Sequence, residues 1–153
     1  NLVPDYITSV REGGFYGWPW YYIGDHQDPR LKGKHPELKD KVLVPDVLLQ
    51  PHNASLELTF YTGKQFPKAY HDDIFAAEHG SWNKSHRAGY EVIRVPLTDG
   101  KAGGEYEDFL TGFVTADGKV WGRPVGVAVA SDGSLMVTDD GSNSIWRVVY
   151  TGK

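Results

Sequence analysis

Two histidines and one arginine stand where predicted strands meet loops, and their side chains could bind a ligand. His52 and Arg123 each precede an apolar run with strand character, and His79 follows one. Imidazole titrates near neutral pH, and a guanidinium binds a carboxylate with a planar pair of N–H donors. A lone histidine is more often structural than functional, so the interpretation depends on the three residues together.

Aromatic and basic side chains nearby extend this candidate site. Trp82 and Trp121 are the rings expected to border a pocket, although both could equally be core residues. Lys84 and Arg87 lie in the loop after His79 and could bind a carboxylate, although a flexible charged loop usually points into water.

An oxygen-rich stretch near the start of the chain offers the ligands that calcium prefers. Asp25 and Asp28 supply carboxylates, and the backbone around Tyr22 and Gly24 supplies carbonyls. The spacing is not that of an EF-hand. The run DDGSN at 139–143 has a similar composition but is more simply a turn.

Composition excludes several classes of protein. The net charge of −4 with interspersed signs provides no basic stripe for nucleic acid. The chain has no cysteine, so disulfides and thiolate metal sites are excluded, and no apolar run approaches the roughly 18 residues that span a bilayer. We expect a soluble protein whose targeting segment, if any, has been removed or lies upstream.

Short apolar runs bounded by turn residues predict an all-β fold. The runs are Leu56–Tyr61, Ile74–Ala77, Tyr90–Val95, Val125–Val129, Leu135–Thr138 and Ile145–Tyr150. Asp132-Gly133 is a strong hairpin signal, and Asp140-Gly141 marks the next turn. The segment 106–110 fits either an outer strand or a helical turn.

The first 50 residues are less regular. Val42–Leu49 resumes a strand-like run that Pro45 interrupts, and the charged stretch 31–41 predicts an exposed excursion with one short helical turn. The aromatic cluster at 15–22 fits either a wall of core side chains or a surface for a flat ligand or a sugar.

Two parts of the chain repeat the same strand order, which is typical of β-propeller blades. The triplets Ile93-Arg94-Val95 and Trp146-Arg147-Val148 lie 53 residues apart, close to one blade plus an insertion. We predict about three four-stranded antiparallel blades: a remnant over about 1–50, a blade over about 51–112 and a blade over about 113–153. Because propellers need about 4 to 8 blades, residues 1–153 are expected to be part of a larger propeller domain.

Five stretches of the chain, in order, resemble the soluble PQQ-dependent sugar dehydrogenases, in particular the sorbosone dehydrogenase and aldose sugar dehydrogenase branch. They are GGFYGWPWYYIGDHQDPR, PHNASLELTFYTG, AAEHGSWNKSHRAGYEVIRVPL, EDFLTGF and WGRPVGVAVASDGSLMVTDDGSNSIWRV. The resemblance implies a six-bladed propeller of which this chain is the C-terminal half. It also implies a periplasmic or secreted enzyme that oxidises an aldose or aldehyde sugar with PQQ, Ca²⁺ and an external electron acceptor.

The resemblance also assigns roles to residues. Arg123 matches the family's quinone-binding arginine, and His79 lies near the place of a cation beside the quinone. His52 stands where the family has a hydroxyl residue, a departure that puts its role in doubt. Residue chemistry, rather than the resemblance, adds Trp82, Trp121 and Lys84 to the predicted cofactor wall and predicts calcium at Tyr22, Gly24 and Asp25. The catalytic base belongs to earlier blades, so this chain alone is expected to be inactive.

Two alternatives remain open from the sequence. The chain could belong to a non-catalytic propeller that binds carbohydrate or protein through its aromatic side chains. It could also associate with copies of itself to close a ring. An N-terminal remainder with the catalytic histidine would favour the enzyme.

Overall fold

The structure is a computed structural model, and it describes residues 3–152. Within that range every regular element is a β-strand or a short 3-10 helix, so the all-β prediction is confirmed. The 3-10 helices are Pro29–Leu31, Pro36–Lys41 and Lys68–Tyr70. The strands are β1 (Tyr6–Ile7), β2 (Tyr21–Tyr22), β3 (His26–Gln27), β4 (Val47–Leu48), β5 (Ser55–Phe60), β6 (Ile74–Glu78), β7 (Glu91–Val95), β8 (Leu97–Thr98), β9 (Lys101–Ala102), β10 (Glu107–Leu110), β11 (Pro124–Val129), β12 (Leu135–Asp139) and β13 (Ser144–Val148).

A four-stranded antiparallel sheet, here called the first sheet, has the order β10-β7-β6-β5. All five residues of β6 are buried, which explains its continuous apolar run, since both faces of the strand are covered. One face packs on the neighbouring sheet, and the other packs on Ile7, Val47 and Leu49 from the N-terminal part. The segment 106–110 supplies the outer strand β10 rather than a helical turn.

The second sheet is three-stranded, in the order β11-β12-β13. Asp132 and Gly133 form the predicted turn between β11 and β12, and Gly133 takes a left-handed φ of 85°. Val127, Leu135 and Val137 face the first sheet and share its core. The buried Tyr61 hydroxyl donates to Gly133 O at 2.6 Å, which fixes the two sheets to each other.

The first part of the chain departs from the prediction of a third four-stranded blade. Residues 3–50 form the two-stranded pairs β1–β4 and β2–β3 instead. The predicted run Val42–Leu49 is a strand only at Val47–Leu48, because Pro45 has no N–H to donate to a ladder. The predicted short helical turn is present at Pro36–Lys41.

The rings of the aromatic cluster at 15–22 differ in burial. Tyr21 is buried, Trp18 is 81% exposed, and the other four rings are half-buried. No helix within residues 3–152 has the length and hydropathy needed to cross a bilayer.

Candidate functional site

Loops from both sheets meet at one end of the molecule and form a cleft of about 400 Å³. They are the connection between β6 and β7, the segment before β11 and the turn after β12. Because β11 and β12 are antiparallel, the start of one and the end of the other lie side by side. The cleft is lined by Trp82, Arg87, Tyr90, Val120, Trp121, Arg123 and Gly141.

Arg123 connects the two sheets at this cleft. Its Nε donates to His79 O at 3.2 Å, and one terminal nitrogen donates to Gly80 O at 3.3 Å. The guanidinium carbon lies 5.8 Å from the centre of the Tyr90 ring, within the range of a cation–π interaction. No carboxylate of the described residues forms an ion pair with Arg123. Its positive charge is therefore available to an anionic ligand.

Asp139 holds the backbone from which Arg123 projects. This buried carboxylate accepts hydrogen bonds from Arg123 N at 2.7 Å, Ser142 N at 3.0 Å, Ser142 Oγ at 2.5 Å and Trp146 Nε1 at 3.0 Å. Burial opposes ionisation, but these hydrogen bonds outweigh it and hold the pKa of Asp139 below its usual value. This role is not apparent from the sequence, because the run DDGSN predicts only a turn.

Glycines let the loops around Arg123 approach closely. A Cβ on Gly141 would lie 2.9 Å from Arg123 N, and a Cβ on Gly122 would lie 2.6 Å from Asp139 Oδ2. A larger residue at Gly141 would meet the backbone of Arg123 and Gly122, and one at Gly122 would meet the Phe113 ring and the Asp139 carboxylate. The close approach of the two segments therefore depends on both glycines.

His79 lies beside Arg123 and contacts the other sheet through its ring. His79 Nε2 is 2.9 Å from Asp140 Oδ1, and the His79 side chain is 19% exposed. Its backbone N–H donates to Ala54 O at 3.0 Å. The structure thus brings together His79 and Arg123, as predicted, and adds Asp140, which the sequence analysis did not identify.

A second buried carboxyl, Glu78, directly precedes His79. Ser55 Oγ lies 2.8 and 2.7 Å from its two carboxyl oxygens. Burial raises the pKa of Glu78 to about 7; hydrogen bonds from Ser55 and Asn53 oppose the shift, and the charge of Asp5 adds to it. The sequence analysis missed this residue because a glutamate at a strand end is ordinarily exposed.

His52, Lys84 and His79 are not among the residues that line the cleft, although His79 contacts Arg123 through its carbonyl. His52 is half-buried in a turn with a left-handed φ of 72°. Lys84 Nζ donates to Pro51 O at 3.2 Å, which ties the loop after β6 to that turn. Their predicted contact with a cofactor stays a prediction.

The two predicted tryptophans both line the cleft but differ in how they are held. Trp82 is 79% exposed and is therefore not a core residue. Trp121 is 40% exposed, donates from Nε1 to Gly112 O at 2.8 Å and packs against the rings of Phe113 and Trp146. Trp121 is the fixed wall of the cleft, and Arg87, whose terminal nitrogen donates to Ser81 O at 3.3 Å, lies at its rim.

The predicted calcium loop is the turn between β2 and β3. Asp25 lies 3.6 Å from Lys39 Nζ and 4.0 Å from His26 Nδ1, so its carboxylate already has one cationic neighbour, Lys39. Asp28 is paired with Arg30 at 2.5 Å. Within residues 3–152, no group of three or more histidine or acidic side chains is arranged to hold a metal ion. The assignment of calcium to Tyr22, Gly24 and Asp25 stays a prediction.

Comparison with known proteins identifies the family. A family model described as TrAA12-like matches residues 28–151, which is most of the chain. The chain belongs to the TrAA12-like family. Among its relatives, an uncharacterised protein of Borreliella burgdorferi is 35% identical over 153 residues, covering 98% of this chain and 40% of that protein. A pyrroloquinoline quinone-dependent pyranose dehydrogenase of Coprinopsis cinerea is 31% identical over 126 residues, covering 68% of this chain and 16% of that enzyme.

This TrAA12-like chain shares its fold with solved structures of a pyranose dehydrogenase domain, a glucose dehydrogenase and an AA12 enzyme. The holo PQQ domain of the Coprinopsis cinerea pyranose dehydrogenase has a TM-score of 0.63 at 23% identity, covering 90% of this chain and 40% of that domain. A glucose dehydrogenase has a TM-score of 0.66 at 22% identity, with coverage of 97% and 39%. A calcium structure of a Trichoderma reesei AA12 enzyme has a TM-score of 0.66 at 20% identity, with coverage of 87% and 38%.

The chain spans at most about two fifths of the length of these relatives. The matches show the TrAA12-like family and a shared fold, and the sorbosone dehydrogenase branch stays a prediction.

Proposed function

We propose that the TrAA12-like protein carrying this chain is a quinoprotein oxidoreductase that oxidises an aldose or aldehyde sugar with PQQ, and that the chain supplies one wall of the cofactor pocket. The observation that carries the proposal is the Arg123 guanidinium, held by backbone carbonyls at an aromatic cleft without a carboxylate partner among the described residues. Family membership supports the same conclusion.

The residues of the cleft fit PQQ, which is a flat quinone with three carboxylates. Arg123 and Arg87 offer guanidinium donors for carboxylates, and Trp121 offers a fixed aromatic surface. No carboxylate side chain lines the cleft within residues 3–152, so its charge is suited to an anion. We assign Arg123 and His79 to the cofactor, with Trp82 and Trp121 as its border.

Each of these residues would have a limited task. Bound PQQ would supply an acceptor for the two electrons that leave the sugar carbon as a hydride. Arg123 would bind and orient an anionic edge of the cofactor, and the two tryptophans would exclude water from one side. The proton from the sugar hydroxyl needs a base, and we expect that base in the rest of the protein rather than in this chain.

The support for calcium in this proposal comes from the structure of a relative. The Trichoderma reesei AA12 enzyme was solved as a calcium structure. Because no cluster of acidic side chains within residues 3–152 could hold the ion, its ligands are expected mainly from other parts of the protein.

The remainder of the protein is a required partner in this proposal. We place the two sheets as adjacent blades of a six-bladed propeller, which the rest of the chain would complete. β13 pairs only with β12 within the described residues, so its outer edge could accept a further strand. An external electron acceptor and a periplasmic or secreted location complete the proposed setting.

Turnover by the full-length protein tests this function. The protein should be reconstituted with PQQ and Ca²⁺ and assayed for dye reduction with a panel of pyranoses and aldehyde sugars. We expect PQQ-dependent reduction with at least one of them. If no sugar supports it while PQQ binds, a non-catalytic propeller that binds carbohydrate or protein becomes the better explanation.

A further inference from the structure

A side-chain pair joins the two sheets next to Arg123, beside the residues that line the cleft. His79 follows β6 of the first sheet, Asp140 follows β12 of the second, and their side chains meet at 2.9 Å between Nε2 and Oδ1. Asp140 is 61% exposed, whereas His79 is 19% exposed. The more buried imidazole is thus held by an acidic side chain from the opposite sheet.

We infer that Asp140 is a positioning residue for His79. A carboxylate only accepts hydrogen bonds, so the proton of the pair belongs on His79 Nε2, and Nδ1 is the ring nitrogen left for a ligand. A neutral ring accepts through Nδ1, and a protonated ring donates through it while Asp140 balances the charge. The inference rests on the proposed function, because it directs Nδ1 to the cofactor.

The backbone hydrogen bonds of His79 do not fix the orientation of its ring, whereas the hydrogen bond to Asp140 does. The backbone N–H of His79 donates to Ala54 O at 3.0 Å, and its backbone carbonyl accepts from Arg123 Nε at 3.2 Å. Neither contact restricts rotation of the side chain about its Cα–Cβ bond. The Asp140 carboxylate is the hydrogen-bond partner of the ring among the described residues.

Asp140 is itself held by the residues that hold Arg123. Its backbone N–H donates to Arg123 O at 3.3 Å, and the preceding Asp139 accepts from Arg123 N at 2.7 Å. The turn after β12 therefore sets the position of Arg123 through the backbone and the orientation of His79 through a side chain. One turn fixes both residues assigned to the cofactor.

The first test requires no cofactor. In the ¹⁵N-labelled full-length protein, the two ring nitrogens of His79 are assigned by comparison with His79→Gln and measured at about pH 8.5, where free imidazole is neutral. We expect the proton on Nε2 in the wild type and a mixture of tautomers in Asp140→Ala. Asp140→Asn, whose amide can either accept from Nε2 or donate to it, should hold the proton on Nε2 less completely than the wild type. An Nε2 without a proton in the wild type, or a tautomer unchanged in Asp140→Ala, overturns the inference.

The second test measures PQQ binding by quenching of tryptophan fluorescence. Asp140→Ala should weaken binding by about tenfold, as loss of a supporting hydrogen bond to a binding histidine does. The double variant with His79→Gln should be no weaker than His79→Gln alone, because the two residues act as a unit. Asp40→Ala, which removes an exposed carboxylate outside the cleft, should bind like the wild type.

The two tests separate the possible failures. If Asp140→Ala changes the tautomer but neither it nor His79→Gln changes PQQ affinity, the pair exists and its assignment to the cofactor is wrong. If the wild type does not bind PQQ at all, the proposed function fails while the tautomer result still decides whether Asp140 positions His79. If His79→Gln weakens binding and Asp140→Ala does not, Asp140 has no positioning role.

Discussion

β6 and β12 are the second strands of their sheets, and each ends in a buried carboxyl followed by a residue of the site. Glu78 precedes His79, and Asp139 precedes Asp140. Asp139 accepts four hydrogen bonds, and its pKa is lowered despite burial. Glu78 receives its closest hydrogen bonds from one hydroxyl, and burial raises its pKa to about 7.

The difference between the two carboxyls shows that the balance between desolvation and hydrogen-bond donors decides the charge of a buried group. Both side chains are nearly inaccessible, with Glu78 at 0% and Asp139 at 3% exposure. The surroundings of Glu78 are also less well satisfied, since Asn53 Oδ1 is buried without a hydrogen-bond donor among the described residues. The end of the second sheet is therefore a stable support for the cleft, and the end of the first sheet is sensitive to pH.

The largest expected effect comes from Asp139→Ala. It leaves the donors of Arg123, Ser142 and Trp146 without their acceptor, and we expect the free energy of unfolding to fall by about 4 kcal/mol. Urea denaturation of the full-length protein at neutral pH measures the loss. Asp139→Asn keeps part of the hydrogen-bond network, so its free energy of unfolding should fall clearly less than that of Asp139→Ala. A loss below about 1 kcal/mol in Asp139→Ala would show that the four hydrogen bonds do not support this sheet.

Glu78→Gln tests the raised pKa of the Glu78 carboxyl through the pH dependence of stability. The pKa of Glu78 is about 7 in the folded protein and 4.5 ordinarily, so the folded state binds the proton more tightly. Its contribution to stability is fully present below about pH 4.5 and is lost as pH rises through 7, a loss of about 3 kcal/mol. Glu78→Gln should remove that loss and be more stable than the wild type at pH 8.

The control for this pH effect is Glu12→Gln, which alters an exposed glutamate. It should leave the pH dependence of urea unfolding as in the wild type. If Glu78→Gln and the wild type show the same dependence between pH 4.5 and 8, the desolvated charge at the end of the first sheet does not exist.

The smallest of these stability effects is expected for Tyr61→Phe, at the contact between the sheets. The Tyr61 hydroxyl donates to Gly133 O and accepts from Gln65 N and Phe66 N. Its removal from a fully buried position should cost about 2 kcal/mol in urea unfolding. Tyr6→Phe, at a ring that is 44% exposed, should cost less than about 0.5 kcal/mol. Equal losses in the two variants would contradict the role of Tyr61 in joining the sheets.

Local patterns in the sequence predicted the strands and turns of the second half of the chain well. The run Ile74–Ala77 and the Asp132-Gly133 turn are present because each depends on neighbouring residues alone. The run Val42–Leu49 was mostly wrong as a strand, since one proline and the lack of a continuous partner limit it to Val47–Leu48.

The candidate site was predictable only in part. His79 and Arg123 were found because they stand at strand ends within family motifs, and the structure brings them together. The pairing of His79 with Asp140 links positions 61 residues apart and depends on how two sheets pack. The burial of Glu78 likewise depends on residues that cover the first sheet, so its type and position in the sequence do not reveal it.

Titration of PQQ into the full-length protein tests the central claim most directly. Tryptophan fluorescence should report binding by the wild type, with Arg123→Ala weaker by about tenfold or more, because a charge-assisted hydrogen bond contributes roughly 1.5–3 kcal/mol. Arg11→Ala, at an exposed arginine outside the cleft, should bind like the wild type. Equal affinity of Arg123→Ala and the wild type, with both proteins folded, would contradict the assignment of the cleft to the cofactor.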